Sequence, residues 1–246
     1  ASLDINSKAL SPRSIANQIS TLKSELIDHE TYMSKAETEQ EKLVAQVYGD
    51  YDRRLARANA FDFDDLIGAT VAVLQLFPEV KQKYRTRFKH ILVDEYQDTN
   101  HAQYMLIKEL VGTSKDGLVP GELCVVGDAD QSIYSFRAAD FTILMGFQGD
   151  FGDGVADGST QTMVKLEENY RSTATILEAA NTLISRNTER IDKVLRPTRG
   201  AGELIRLSRC DDEIAEAETV VQRMRELQAA HPELRYGDMA VLYRTN

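Results

Sequence analysis

The sequence is short of cysteine, of long apolar runs and of one particular dipeptide. Cys124 and Cys210 are its only cysteines, too few for a disulfide framework or a cysteine-based metal site. Cys124 lies in the apolar run Leu123–Val126, which predicts a buried free thiol. No apolar stretch approaches the length of a membrane span, and the start has no signal-peptide pattern. These absences predict a soluble, cytoplasmic protein with no membrane partner. Basic residues are outnumbered, 29 against 39 acids, for a net charge of −10. That excludes a wholly basic, histone-like binder but leaves room for a narrow nucleic-acid track on an acidic body. There is no internal repeat and no low-complexity tract. Nowhere does Lys follow Gly, so the phosphate-cradling loop G-x-x-x-x-G-K-[ST] is absent.

What is present reads as an α/β protein. At 246 residues with 42% apolar content, the chain fits one large domain or two small ones. Ser11 and Pro12 form an N-cap and first-turn pair, followed by Ile15, Ile19, Leu22 and Leu26 at helical spacing. A second helix is expected from Ala36 to Asn59, with Leu43, Val47, Tyr51 and Leu55 on one face. Its acids lie early and its bases late, which matches the helix dipole; a basic end touching a phosphate backbone is the sharper alternative. Asp62 caps a third helix in Phe61-Asp62-Phe63-Asp64-Asp65-Leu66-Ile67, and Pro78 starts a fourth that ends near Phe88. Strands are expected at 91–93, 122–127, 163–166, 203–207 and 239–243. The intervening helices are expected at 99–111, 140–148, 173–186 and 211–230, with a loop at 149–160. Alternating strands and helices indicate a parallel sheet with helices on its faces.

Two of these strands run into acid-rich turns. Ile91-Leu92-Val93 enters Asp94-Glu95-Tyr96-Gln97-Asp98, and the second strand enters Gly127-Asp128-Ala129-Asp130-Gln131. In open α/β sheets, ligands bind at the carboxyl ends of strands. Asp94 and Glu95 there suit a nucleotide-bound magnesium ion and a water to be activated; the bland alternative is a strand followed by a polar turn. Gln131 can hydrogen-bond a terminal phosphate or a water. Tyr134 and Phe136, close to Arg137, suit stacking on unpaired bases, although Phe136 in isolation reads more readily as core. Arg171, at a helix start, reads as an arginine finger or as a surface salt bridge.

VDEYQDTN, VGDADQSIYSFRAA, LEENYRST and AVLYRTN, in this order and preceded by FDFDDLI, resemble the UvrD/PcrA/Rep family of superfamily I DNA helicases. The resemblance spans residues 61–246 and, more weakly, the helical first 60. It implies a partial RecA-like, P-loop NTPase-type parallel sheet with flanking helices. It places a helical accessory segment at 1–60, the distal part of a first RecA-like domain at 61–168 and the opening of a second at 169–246. The implied activity is ATP-dependent 3′ to 5′ unwinding of DNA, with ATP and Mg²⁺ as cofactors. The implied partners are single-stranded DNA, duplex-junction DNA and repair proteins. By the same resemblance, Asp94 and Glu95 hold the metal, Glu95 is the general base and Gln131 senses the γ-phosphate. Arg171 is the finger from the second domain, and Tyr170 packs against adenine. Phe63, Tyr134 and Phe136 line the single-strand track, Arg137 couples that track to ATP, and Arg244 and Asn246 contact DNA. Phe136 stands where many relatives have Trp, which trims its stacking area.

The missing phosphate loop is the main departure from the family. It implies a piece of a longer helicase that has little ATPase activity alone, and the apolar stretch at the very end of the chain suggests the same. The rival readings are a non-hydrolysing interaction module with helicase-like architecture and the motor part of a helicase–nuclease.

Overall fold

The computed structural model describes residues 11–112, 121–133, 138–151, 164–187, 191 and 193–243. They fall in two compact units, one running up to Lys165 and the other formed by Leu166–Arg186 with the residues from Lys193 onward.

The first unit opens with five helices: α1 (Pro12–Ser24), α2 (His29–Lys35), α3 (Glu39–Arg57), α4 (Phe63–Leu76) and α5 (Pro78–Arg87). Each of the first four starts where a side chain takes over a free backbone N–H. Ser11 accepts from the Ser14 amide at 3.1 Å, and Asp28 accepts from the Thr31 amide at 2.7 Å. Thr38 with Glu41 and Asp62 with Asp65 form reciprocal capping boxes. Ile15 and Ile19 of α1 are buried against Tyr48 of α3, with Leu22, Leu43 and Val47 packed around them. Leu26 does not extend this ridge, because the helix stops at Ser24 and Leu26 adopts a left-handed φ of 56°. The buried side of α3 is also shifted by one residue from the expected ridge, to Val44, Ala45, Tyr48 and Gly49. Helix α2 packs on this side: a Cβ on Gly49 would sit 3.1 Å from the His29 ring, so a bare backbone eases the close approach of the two helices.

Lys23 is the polar centre of this helical part. Its side chain is only 5% exposed and pairs with Asp52 at 3.3 Å, Asp62 at 2.9 Å and Asp65 at 2.6 Å. It therefore ties α1 to α3 and to the capping box of α4. Burial disfavours its charge, but the hydrogen bonds to Asp62 and Asp65 and the charge of Asp52 outweigh burial and raise its pKa. For Asp62 burial again opposes ionisation. The bonds from Lys23, the Asp65 backbone and Tyr51 prevail and hold its carboxyl below the usual range. At Asp52 burial wins and the pKa rises despite Lys23.

Beyond α5 come β1 (His90–Val93), α6 (His101–Val111), β2 (Glu122–Val125) and α7 (Phe141–Phe151). β1 and β2 pair in parallel, Val93 opposite Val125. Tyr96, Ile107, Val111 and Ile143 form their core, with Ile91, Val93, Leu123, Val125 and Phe147 packed against it. Each such side chain contributes about 1.5–3 kcal/mol when fully buried. The alternate residues face away from this core: Leu92 is exposed, and so is Cys124. Cys124 is therefore not the buried thiol its apolar run predicts. Strand periodicity puts it on the uncovered face of the sheet. Helix α7 also runs to Phe151, so residues 149–151 are helix and not loop; residues 152–160 lie outside the described residues.

The second unit holds β3 (Glu168–Asn169), α8 (Ala174–Ile184), β4 (Arg196–Pro197) and α9 (Glu213–Ala230). β3 and β4 pair in parallel. Asn181 of α8 closes the unit by donating to the Leu195 carbonyl at 2.9 Å and accepting from its amide at 3.3 Å. Among the described residues, the strands expected at 203–207 and 239–243, and the described part of 163–166, have no ladder partner. Leu204, Leu207 and Leu242 are exposed accordingly. A strand needs a neighbour to supply its hydrogen bonds, and local apolar pattern cannot provide one. The described residues thus form a mixed α/β fold with two small parallel sheets and many helices.

Replacing Lys23 by Met should destabilise the chain by about 3 kcal/mol, because it leaves carboxylates facing one another without their cation; a urea titration reads this directly. Asp62, with its lowered pKa, contributes stability above the ordinary aspartate value and loses it as pH falls through the lowered one. The raised Lys23 contributes fully below the ordinary lysine value and is lost only in strong alkali. Wild type should therefore lose stability more steeply than Lys23→Met below about pH 4.

Candidate functional site

Because β1 and β2 pair in register, both strands end at the same level. The ladder continues one step further: the Val126 amide donates to Val93 at 2.8 Å, and the Tyr96 amide donates to Val126 at 3.0 Å. Tyr96 is fully buried and meets Phe147 edge-on. Sending that ring into the core forces the chain to turn sharply just before it. Glu95 makes the turn at φ 50°, ψ 43°, a left-handed conformation that costs a non-glycine residue about 1–2 kcal/mol. Asp94 steadies it by accepting from the Glu95 amide at 2.9 Å. Both carboxylates consequently stand exposed at the strand's end.

Behind them sits Gln97, 1% exposed. Its Nε2 donates to Glu95 Oε2 at 2.7 Å, and its Oε1 accepts from the Asp128 amide at 2.9 Å. Asp128 then organises the second turn, with Oδ1 accepting from the Asp130 amide at 2.9 Å and Oδ2 from Gln131 Nε2 at 2.8 Å. A chain of hydrogen bonds therefore runs from Glu95 to Gln131. Gly127 is where the two turns touch, because a Cβ there would lie 2.8 Å from Gln97 Oε1 and 3.3 Å from two backbone nitrogens. Asp98 lies beside them with Oδ1 buried and unpartnered. Burial first and the charge of Glu95 second push its carboxyl above the ordinary range.

In the second unit, Tyr170 and Arg171 occupy the turn between β3 and α8. Asn169 Oδ1 shapes that turn by accepting from the Arg171 amide at 3.0 Å and the Ser172 amide at 2.8 Å. The Tyr170 hydroxyl donates to Glu168, which raises its pKa. Tyr170 and Arg171 are exposed, and among the described residues the Arg171 guanidinium has no ion pair. Phe63 stands at the first position of α4, 89% exposed, directly after the Asp62 that Lys23 grips. Tyr134, Phe136, Arg137, Arg244 and Asn246 lie outside the described residues. Sequence reasoning did not single out Gln97, Asp128 or Lys23. The available signal for Gln97 and Asp128 was their place inside the two acidic motifs, next to a glycine that a close approach requires.

These strand-end turns belong to a recognised class of protein. Residues 1–152 match the UvrD/REP helicase N-terminal domain and residues 164–246 the UvrD-like helicase C-terminal domain, so the chain belongs to the UvrD-like helicase family. Among individual proteins it is similar to the ATP-dependent DNA helicase UvrD1 of Mycobacterium tuberculosis, 54% identical over 248 residues. It is 51% identical over 251 residues to UvrD1 of Mycobacterium leprae. Identity to the ATP-dependent DNA helicase PcrA of Staphylococcus aureus is 42% over 243 residues. In each case the match covers 99% of this chain and 31% of the relative's length. Among the described residues, no helix is long and apolar enough to cross a membrane.

Gly127→Ala should displace the Gln97 amide and cost about 1–2 kcal/mol of stability. Hydrogen exchange should show faster exchange at the Asp128 amide, whose acceptor has been pushed away, while amides in α3 keep their protection.

Proposed function

We propose that this chain is part of an ATP-dependent 3′ to 5′ DNA helicase that couples ATP hydrolysis to movement along single-stranded DNA and to unwinding at duplex junctions. The observation that carries this reading is the pair of acidic turns at the ends of two parallel strands, joined through one buried amide. Residues 1–60 then form a helical accessory segment, 61–168 the distal part of a first RecA-like domain, and 169–246 the start of a second. Repair proteins are the natural partners, and the cytoplasm the natural compartment.

In this reading Glu95 accepts a proton from a water as the water oxygen bonds to the γ-phosphorus. The bond from that phosphorus to the bridging oxygen of the departing ADP breaks, and the electron pair stays on the ADP oxygen. Gln131 contacts the terminal phosphate. Arg171 supplies positive charge to the developing transition state, and Tyr170 stacks on the base of the nucleotide. The exposed carboxylates fit a nucleotide-borne magnesium ion, which keeps most of its waters and takes one or two protein carboxylates. Asp94, with Glu95 beside it, would hold that ion, and the ion when bound neutralises phosphate charge. Among the described residues, no group of three or more His, Cys, Asp or Glu is placed to hold a metal ion.

DNA runs past exposed rings in this proposal. Phe63, Tyr134 and Phe136 stack on bases, Arg137 links them to the nucleotide site, and Arg244 and Asn246 extend the track. Support comes from Phe63, whose ring is left in solvent by a helix start fixed from beneath. Ser132 and Ala139, which flank residues 134–137 in sequence, are tied to the first turn through the Gln97 carbonyl at 3.3 Å and through a bridge to Asn100.

In the full-length protein carrying this sequence, Glu95→Gln should lower kcat for ATP at least 100-fold and abolish unwinding while bound ATP accumulates; unaltered turnover would remove Glu95 from the role of base. The 246-residue chain alone, which lacks a Gly-Lys phosphate loop, should hydrolyse ATP only at background rate. Phe63→Ala should weaken single-strand binding by about 1–3 kcal/mol, the value of one stacked base, as measured by fluorescence anisotropy.

A further inference from the structure

The Gln97 side chain has no outlet to solvent, and its two ends serve different turns. A buried primary amide is tolerated only where its donors and acceptor are matched. Here one orientation alone matches them: the carbonyl oxygen faces a backbone N–H at Asp128, and the NH₂ faces carboxylates at Glu95 and, at 3.5 Å, Asp98. The Gln97 backbone also takes part, its carbonyl accepting from Ser132 Oγ at 3.3 Å. Gly127 gives up a side chain to make room for the amide. Glu95 is held in a left-handed backbone conformation, and its carboxylate receives a 2.7 Å bond from this buried donor.

We propose that Gln97 is a positioning residue that couples the aim of the Glu95 carboxylate to the state of the Asp128–Gln131 turn. This rests on the reading of Glu95 as base and Gln131 as the group that meets the terminal phosphate. In this structure Gln131 donates to Asp128 Oδ2. A terminal phosphate oxygen would compete with that carboxylate for the same NH₂ group, so its arrival loads the Asp128 turn. The Asp128 amide is the donor that fixes Gln97, so a change in the Asp128 turn reaches Glu95 through one rigid, fully buried side chain. Occupancy at the phosphate end and orientation of the base thereby change together. A nucleotide that does not engage Gln131 leaves Glu95 in its resting aim.

The test uses the full-length protein and a double-mutant cycle. Gln97→Met keeps the length and bulk of the side chain and removes its three side-chain hydrogen bonds. It should lower kcat for DNA-stimulated ATP turnover about 10- to 100-fold, the usual effect of losing an outer partner of a reactive group, with KM for ATP changed less than about threefold. Gln131→Ala added to Gln97→Met should cost little more than the worse single change, because both break the same chain. Multiplicative losses, or wild-type kcat in a folded Gln97→Met protein, would overturn the proposal. Gln97→Glu guards against a folding failure. It retains an acceptor for the Asp128 amide but turns the donor facing Glu95 into a second carboxylate, so kcat should fall while the Asp128 amide stays protected from exchange. Wild-type kcat in Gln97→Glu would also overturn it. The Glu95→Gln control separates the two levels: lost turnover there with intact turnover in the Gln97 variants rejects the coupling and leaves the base assignment standing.

Discussion

The constraint on which the first unit depends is the parallel, in-register pairing of β1 with β2. Parallel strands cannot be joined by a tight hairpin, so each must leave the sheet at the same end and return by another route. Here the return path is α6, capped by Asn100 and Gln103. Both strands therefore release their chains at one level, and both chains leave through carboxylate-rich turns. The burial of Tyr96 sharpens this geometry. Its ring needs the core, so the residue before it must bend the backbone the costly way, and that residue is Glu95. The Glu95 carboxylate is exposed because its neighbour is buried.

Away from the sheet, a different force arranges the helices. Three of them converge on a single ammonium group, Lys23, which also lies over the rings of Tyr48 and Tyr51. Such a cluster is a poor source of net stability compared with an apolar plug of the same size, but a strong source of specificity. It fixes the rotation of α4 by gripping its cap, and that rotation leaves Phe63 in solvent. Glu109 plays a lesser version of the same part. It meets Lys81 at 2.8 Å and Gln75 at 3.2 Å, while its carbonyl accepts from Arg85 at 2.7 Å, so that α6 holds α4 and α5.

Local chemistry was the legible part of the sequence. Ser11 with Pro12, Asp62 and Pro78 mark helix starts because capping involves only a few neighbouring residues. The two apolar runs that end in acids mark strand exits for the same reason. Elements that depend on distant partners were not legible. Helix α2 has no buried residue and leaves no apolar stripe to read. The packed side of α3 depends on where α2 lands. Cys124 looks buried until one knows which face of its strand is covered. The apolar runs near 205 and 241 have the composition of strands but, among the described residues, no neighbour to make them so. Of the residues to which the resemblance gives roles, the structure describes the positions of Asp94, Glu95, Gln131, Phe63, Tyr170 and Arg171. The burial of Gln97 could not be read, because a glutamine that will be buried looks the same in a sequence as one that will not.

The backbone twist at position 95 sets thermal robustness against usefulness. Glycine enters that region of conformational space at no steric expense, and asparagine at little. A selection for heat tolerance that never asks for turnover would drift toward those two residues there, gaining firmness by discarding the carboxylate. Variants recovered from such a selection would melt later and, under the role we propose for Glu95, would leave ATP intact.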